Sequence, residues 1–182
     1  MKITLIIIGV TLVLIAIVFI YYGGLSKVNC RIETQGGETL VFKDMIGDYA
    51  KSGKLSDEVY YALLNDYKIE TFKGFGIYYD NPKEVEKDKL RSEIGCIVEQ
   101  KDISKVSQIK GDLKTKTFPE KSYIVTEFPF KGKLSIILGI MKVYPSIEKF
   151  VKEKGYSNDG TVMEIYDVPN KKILYRKEII EK

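Results

Sequence analysis

One carboxylate stands in an apolar setting, in the segment 161–167 (TVMEIYD). Side chains of a strand alternate between its two faces, so Val162, Glu164 and Tyr166 share one face and Met163 and Ile165 the other. A glutamate flanked by aromatic rings suits a cationic ligand, because it offers a charge-assisted contact and each ring adds cation–π attraction of about 0.5–2 kcal/mol. The alternative is an ordinary solvated glutamate on a half-exposed sheet.

The segment has a counterpart earlier in the chain. The letters IYYDNP at 77–82 recur as IYDVP at 165–169, and GKLS at 53–56 recurs as GKLS at 132–135. The alignment makes Gly76 equivalent to Glu164 and Tyr78 equivalent to Tyr166. We therefore expect a gap at Gly76 beside the carboxylate and two tyrosines, which together would form a pocket for a flat, hydrophobic molecule that can carry positive charge. A β-bulge is the alternative explanation of Gly76.

Two further tyrosines are candidates for the same pocket. Tyr49 follows a Gly-Asp pair and Tyr144 lies in a predicted helix. The chain has 13 tyrosines and no tryptophan, so most of its tyrosines are expected at the edge of the core rather than in a site.

The composition excludes several kinds of catalysis. The chain contains no histidine, which removes Ser-His-Asp and Cys-His pairs and the commonest zinc ligand. The two cysteines, Cys30 and Cys96, are too few for a structural zinc site, and no phosphate-binding loop of the form GxxxxGK[ST] occurs. We expect no metal and no cofactor, and Cys96 is predicted to be a buried free thiol.

Charge gives no sign of a nucleic-acid partner. The net charge is +4, with lysines and glutamates interspersed, which is typical of an ordinary solvated surface. No helix pair of the kind that binds DNA is predicted.

The first residues predict a membrane anchor. Residues 3–22 carry no charge, and as a helix they would span roughly 30 Å, the thickness of the hydrocarbon core of a bilayer. A cleaved signal peptide is the alternative, but the run is longer than most and ends in bulky residues. Lysines and arginines near the two ends are nearly balanced, so they do not fix the orientation. We divide the chain into an anchor with its exit, 1–24, and one globular domain, 25–182.

The elements of the domain repeat in order, and the fold class is α+β. We predict a tandem β-α-β-β repeat with pseudo-twofold symmetry and a central cleft, preceded by one transmembrane helix. A proline at position 145 is expected to kink or break the second helix, and Ser56 to cap the first. The predicted elements are a hairpin of strands at 28–34 and 39–43, a helix from Ser56, strands at 75–80, 90–99 and 122–128, a helix at 133–154, and strands at 161–167 and 172–179.

Several short motifs together resemble the GyrI-like small-molecule-binding domain, part of the effector-binding superfamily. They are GDY at 47–49, GIYYDNP at 76–82, LRSEIG at 90–95, FPFKGKLS at 128–135, VYP at 143–145 and MEIYD at 163–167. The resemblance covers nearly the whole chain after the anchor. It implies a cleft in which a glutamate at the position of Glu164 contacts cationic amphipathic ligands.

The resemblance implies three functions. The first, which we favour, is a membrane-tethered domain that captures or senses amphipathic, cationic ligands. The second is a membrane-anchored module that binds a protein partner, because the family includes an animal ER-phagy receptor with an N-terminal transmembrane helix and a cytosolic domain of this kind. We expect its long tail to be missing, since the sequence ends at Lys182. The third is a modest hydrolase of electrophilic molecules that uses Glu164. By the same resemblance, the domain is expected on the cytoplasmic face.

Overall fold

The chain begins with a long apolar helix that stands apart from the core. The structure, a computed structural model, describes residues 2–182, and its first helix, α1, spans Lys2–Tyr21 without a buried residue. This helix is long and apolar enough to cross a membrane, a property that it shares with signal sequences. Its position agrees with the predicted anchor segment.

Eight strands form one antiparallel sheet, and two helices pack against it. The sheet order is β1-β6-β8-β7-β3-β4-β2-β5, and two 3₁₀ segments lie at Tyr49–Lys51 and Gln100–Gln108. The elements are β1 Arg31–Gln35, β2 Thr39–Ile46, α2 Ser52–Tyr67, β3 Lys73–Tyr78, β4 Arg91–Val98, β5 Lys114–Thr117, β6 Lys121–Pro129, α3 Lys133–Lys154, β7 Val162–Asp167 and β8 Lys172–Glu178.

The predicted tandem repeat is confirmed. One unit is β2-α2-β3-β4 and the other is β6-α3-β7-β8, and they join through β3 and β7 at the centre of the sheet. Gly76 pairs directly with Glu164 in this central pair of strands. Because the sequence repeat makes these two residues equivalent, the pseudo-twofold axis passes between them.

The predicted hairpin at the start of the domain is wrong. Both strands exist, but β1 pairs with β6 and β2 pairs with β4 and β5. The turn between them instead contacts the loop before β6: the amide of Gly37 donates to the Phe118 carbonyl, and the amide of Phe118 donates to the Glu38 carbonyl, both at 2.8 Å. Gly36 allows this approach, since a Cβ there would lie 2.2 Å from the Pro119 carbonyl oxygen. The units thus exchange their first strands, and β5, which the sequence did not predict, is the counterpart of β1.

The two faces of the sheet carry different parts of the core. On one face Met163 and Ile165 join an apolar cluster built only from strands and the loop before β6. On the other face α2 covers one unit and α3 covers the other. The helices leave the centre of that face, over β3 and β7, uncovered.

The ends of the helices differ in detail from the prediction. The first helix begins at Ser52 rather than near Ser56, because the Asp48 side chain accepts the amide of Ala50 at 3.0 Å and starts a 3₁₀ turn that leads into it. The second helix matches its predicted range and is not interrupted at Pro145. Proline leaves the carbonyl of Met141 without its helical partner, and that residue lies on the exposed side, where water can hydrate the carbonyl.

Candidate functional site

A cleft of about 1710 Å³ lies over the uncovered centre of the sheet. Its floor is formed by β3 and β7, and its two walls by the first turns of α2 and the cleft-facing side of α3. Four of the five residues that the sequence predicted for a site line this cleft: Tyr49, Tyr78, Glu164 and Tyr166. Gly76 does not line it, but lies in the floor strand β3, paired with Glu164.

Glu164 lies on the floor of the cleft and is almost completely buried, with 3% of its surface exposed. The hydroxyl of Tyr144 donates to its Oε1 at 2.8 Å, and the hydroxyl of Tyr166 donates to its Oε2. Its strand neighbours Met163 and Ile165 point to the opposite face, as the alternation predicted. The alternative of a solvated surface glutamate is therefore wrong.

The carboxylate of Glu164 is hydrogen-bonded by tyrosines and forms no salt bridge with a lysine or arginine of residues 2–182. Burial raises the pKa of Glu164, and the hydrogen bonds from Tyr166 and Tyr144 oppose that shift only in part. Lys177, a buried lysine that also lines the cleft, donates to the carbonyls of Asp159 and Gly160 rather than to Glu164. Burial, followed by the nearby carboxylate, raises the pKa of Tyr78, Tyr144 and Tyr175. The site is a buried carboxyl group held by neutral hydrogen-bond donors.

The space beside Gly76 is occupied by the ring of Tyr78 and is not an open gap. A Cβ at this position would lie 2.7 Å from the Tyr78 hydroxyl, so the ring of Tyr78 folds back over the glycine. The expected gap is thus filled. A bulge is also absent, since β3 continues its pairing with both neighbouring strands through Gly76. Glycine is needed here because the ring of Tyr78 occupies the space beside Glu164.

Tyr49 supports the ring of Tyr78 from the side. The 3₁₀ turn that starts at Asp48 directs Tyr49 towards the ends of β3 and β4, where its hydroxyl donates to the Arg91 carbonyl at 2.9 Å and accepts the amide of Asp80 at 3.1 Å. Its ring meets that of Tyr78 edge-on, with centroids 4.7 Å apart. Because its hydroxyl is hydrogen-bonded to the backbone, Tyr49 contributes its ring, and not its hydroxyl, to the lining of the cleft.

The sequence did not identify two further aromatic residues that pack around the tyrosines of the site. Tyr175 pairs with Glu164 across β7 and β8, and its ring lies edge-on to Tyr144 with centroids 6.1 Å apart. Phe130 packs edge-on against Tyr166 at 5.7 Å. The pairing of the last two strands would have revealed Tyr175, whereas Phe130 lies in a loop and has no periodic signal.

No metal site accompanies the cleft. Among residues 2–182 no cluster of three or more cysteine, aspartate or glutamate side chains is placed to hold a metal ion. Cys30 and Cys96 are free thiols, and Cys96 is buried as predicted. Cys96 lies at one edge of the cleft. Burial raises the pKa of its thiol to about 11, so the thiol stays protonated near neutral pH and is unreactive.

Comparison with known proteins agrees with this architecture. Testis-expressed protein 264 of Homo sapiens is 28% identical over 158 residues, covering 80% of this chain and 48% of the human protein. The chain spans about half the length or less of the curated relatives that it matches. The crystal structure of the EcmrR C-terminal domain superposes with a TM-score of 0.58 at 11% identity, covering 85% of this chain and 99% of that one.

A second solved structure contains a ligand. SAV2435, solved bound to tetraphenylphosphonium, superposes with a TM-score of 0.56 at 10% identity, covering 83% of this chain and 93% of that one. At such identities the two structures show a shared fold. The family model for the GyrI-like small molecule binding domain matches residues 29–180. The chain therefore belongs to the GyrI-like small-molecule-binding domain family.

Proposed function

We propose that this chain is a membrane-tethered domain that binds amphipathic cations in its cleft, with Glu164 as the anionic group. The observation that carries the proposal is the buried carboxylate of Glu164, which lies under aromatic rings and forms no salt bridge with a lysine or arginine of residues 2–182. A buried charge without a counter-charge is costly to the fold. Such a group is therefore better explained by a cationic ligand than by stability.

The surrounding rings fit a ligand that is large, apolar and positively charged. A cation about 6 Å from the carboxylate, at an effective dielectric constant of about 20, gains about 3 kcal/mol of Coulomb energy. Each ring face contributes about 0.5–2 kcal/mol more. Tyr78 and Tyr166 lie beside the carboxylate, and Ile136 and Ile140 on α3 provide an apolar wall. The tetraphenylphosphonium bound to SAV2435 is a cation of this chemistry.

The same geometry favours binding over hydrolysis. Hydrolysis would require the carboxylate to activate a water or attack a substrate from within hydrogen-bond distance. Both oxygens of Glu164 already accept hydrogen bonds from tyrosines, and the side chain is buried. A cationic ligand that stacks on the rings is attracted by the carboxylate of Glu164 without displacing the hydroxyls of Tyr144 and Tyr166.

We propose α1 as the tether. Its 20 residues carry no charge after Lys2, and its end is bound to the domain: the Ser135 hydroxyl donates to the Tyr22 carbonyl at 3.2 Å. Cleavage of α1 as a signal peptide would remove this contact between the residue after the helix and the domain. We place the domain on the cytoplasmic side, where the free thiols of Cys30 and Cys96 fit a reducing compartment. Resistance to alkaline carbonate extraction would support the anchor, and protease digestion of sealed vesicles would test the side.

A thermal-shift titration of the full chain in detergent micelles tests the binding function. Tetraphenylphosphonium at a hundredfold excess over its dissociation constant should stabilise the wild type by about 2.7 kcal/mol. Glu164→Gln should weaken binding roughly 100-fold, since it removes a Coulomb contribution of about 3 kcal/mol.

The matched control is Glu127→Gln, which removes a carboxylate that lies on the surface beside Arg31 and Lys172. It should bind the cation like the wild type. If neither the wild type nor the control is stabilised by any hydrophobic cation, the proposed function is wrong.

A further inference from the structure

Two turns near the start of α3, from Leu134 to Met141, expose a row of large apolar side chains. Leu134, Ile137 and Met141 follow the spacing of one helix face and are 46%, 53% and 67% exposed. Ile140, 48% exposed, lies beside them on the edge of the cleft. We call these four residues the apolar ridge. Scattered surface hydrophobics need no explanation, but a contiguous group of this kind indicates an interaction surface.

The ridge is confined to one half of the helix. Beyond Pro145 the exposed positions of α3 carry charge, as is ordinary for a solvated helix: Glu148, Lys149, Lys152 and Glu153 are all exposed. A helix exposed to water along its whole length would carry polar or charged residues at the exposed positions of both halves. The change at the proline therefore separates a half that contacts something apolar from a half that contacts water.

The apolar half is the half to which the end of α1 is attached. The hydroxyl of Ser135, the neighbour of Leu134, donates to the Tyr22 carbonyl at 3.2 Å. The ammonium of Lys142, the neighbour of Met141, donates to the carbonyl of Ser26 at 2.8 Å and also to that of Gly24. The exit of α1 thus lies against the same two turns that expose the ridge.

We propose that the apolar ridge lies in the boundary between lipid headgroups and acyl chains of the membrane that α1 spans. This inference rests on the proposal that α1 is a membrane anchor. From Leu134 to Met141 the helix advances only about 10 Å, so the whole ridge remains close to the exit of α1. Amphipathic helices at membrane surfaces bury their apolar face about 5–10 Å into this boundary.

The residues around the junction have the chemistry of the lipid headgroup region. The ammonium of Lys131 lies 4.5 Å from the ring centroid of Tyr21 at the end of α1, and the exposed Lys133 begins α3. Tyrosines and lysines are typical of this layer, where a ring meets the acyl chains and an ammonium reaches the phosphates. A lipid surface explains the ridge, the two lysines and the position of α1 together, which a second copy of the chain does not.

The contact would fix the domain on the bilayer and orient its cleft. Ile140 and Met141 belong to the ridge and also line the cleft. One wall of the cleft therefore meets the membrane surface, where amphipathic molecules accumulate.

Tryptophan fluorescence in lipid nanodiscs tests the contact, because the chain contains no tryptophan of its own. Single substitutions Ile137→Trp, and Met141→Trp as a second reporter, are placed in the full chain. The matched control is Ile46→Trp, an isoleucine that is 74% exposed at the end of β2. The strand β2 runs antiparallel to β6, so this control lies at the opposite end of the sheet from the junction with α1. A reporter within α1, Val18→Trp, tests the anchor itself.

The nanodiscs contain phosphatidylcholine with or without brominated acyl chains, which quench only tryptophans in contact with them. We expect at least about twofold quenching of Ile137→Trp and of Val18→Trp, and none of Ile46→Trp. Quenching of Val18→Trp without quenching of Ile137→Trp and Met141→Trp would overturn the lipid contact and leave the anchor intact. A blue-shifted but unquenched Ile137→Trp would show that protein covers the ridge, which also overturns it. An unquenched Val18→Trp would contradict the anchor and this inference together.

Discussion

Replacing Glu164 by glutamine should make the protein more stable at neutral pH. The substitution preserves the size of the side chain and an oxygen that can accept from Tyr144 or Tyr166, but it removes a charge that is almost fully buried. A residue kept for binding at the expense of the fold behaves in this way, whereas a residue kept for stability does not.

The expected change in the free energy of unfolding is the difference between two opposing contributions, the cost of burying the charge and the gain from its hydrogen bonds. Burying a carboxylate costs several kcal/mol, and each hydrogen bond donated to a charged group returns about 1.5–3 kcal/mol. Neutral hydrogen bonds to an amide return about 0.5–1.5 kcal/mol each, without the large cost of burying a charge. Since burial dominates the raised pKa of Glu164, we expect a net gain of about 1–3 kcal/mol for glutamine. For a chain of this length that gain raises Tm by about 2–4 °C per kcal/mol.

The gain should depend on pH in a defined direction. The folded-state pKa of Glu164 lies above its ordinary value of 4.5, so folding favours the protonated form. Wild-type stability is then least affected below pH 4.5 and falls as pH rises through the folded-state pKa. The advantage of Glu164→Gln should therefore be largest above the folded-state pKa of Glu164 and shrink as the pH is lowered towards 4.5.

Urea unfolding of the full chain in micelles, followed by circular dichroism at several pH values, measures this difference. The surface control Glu127→Gln should change stability by less than about 1 kcal/mol. A destabilised Glu164→Gln, or a gain that does not vary with pH, would refute the description of Glu164 as an uncompensated buried charge.

Three further predictions concern the frame around the site. Gly95→Ala should lower the urea midpoint by the equivalent of about 3 kcal/mol or prevent folding, because a Cβ there would lie 2.0 Å from the Val41 carbonyl oxygen. Arg176→Ala should cost about 3–5 kcal/mol in the same assay, since it leaves Glu38, in the turn between β1 and β2, without its bidentate partner on β8. Cys96 should resist alkylation at pH 8 in the folded protein and react only on unfolding, as mass spectrometry can show, because burial raises its pKa to about 11.

The sequence was most informative where periodicity and repetition agreed. The alternation in TVMEIYD predicted the orientation of Glu164, and the internal repeat predicted that Gly76 is its counterpart across the central strands. The range of α3 also followed from its apolar spacing. These features depend on the order of residues within one element or on two similar elements, which a single sequence records directly.

The remaining features depend on contacts between distant parts of the chain. The position of β1 is stabilised by Arg176 on the last strand, which donates to Gln35 at the end of β1 and to Glu38 in the turn that follows. No local sequence pattern predicts such a contact. The ring of Tyr78 fills the space over Gly76 because of its rotamer, which sequence spacing does not specify. Burial of Glu164 under tyrosines from α3 and β7 likewise emerges only when the two units pack together.

The central claim is that the cleft selects ligands by positive charge through Glu164. The most direct test compares two ions of nearly the same shape and opposite charge, tetraphenylphosphonium and tetraphenylborate, by calorimetric titration of the full chain in micelles. We predict that the wild type binds the cation at least about tenfold more tightly than the anion, and that Glu164→Gln loses this preference. Equal binding of both ions by the wild type, or an unchanged preference in Glu164→Gln, would contradict the claim.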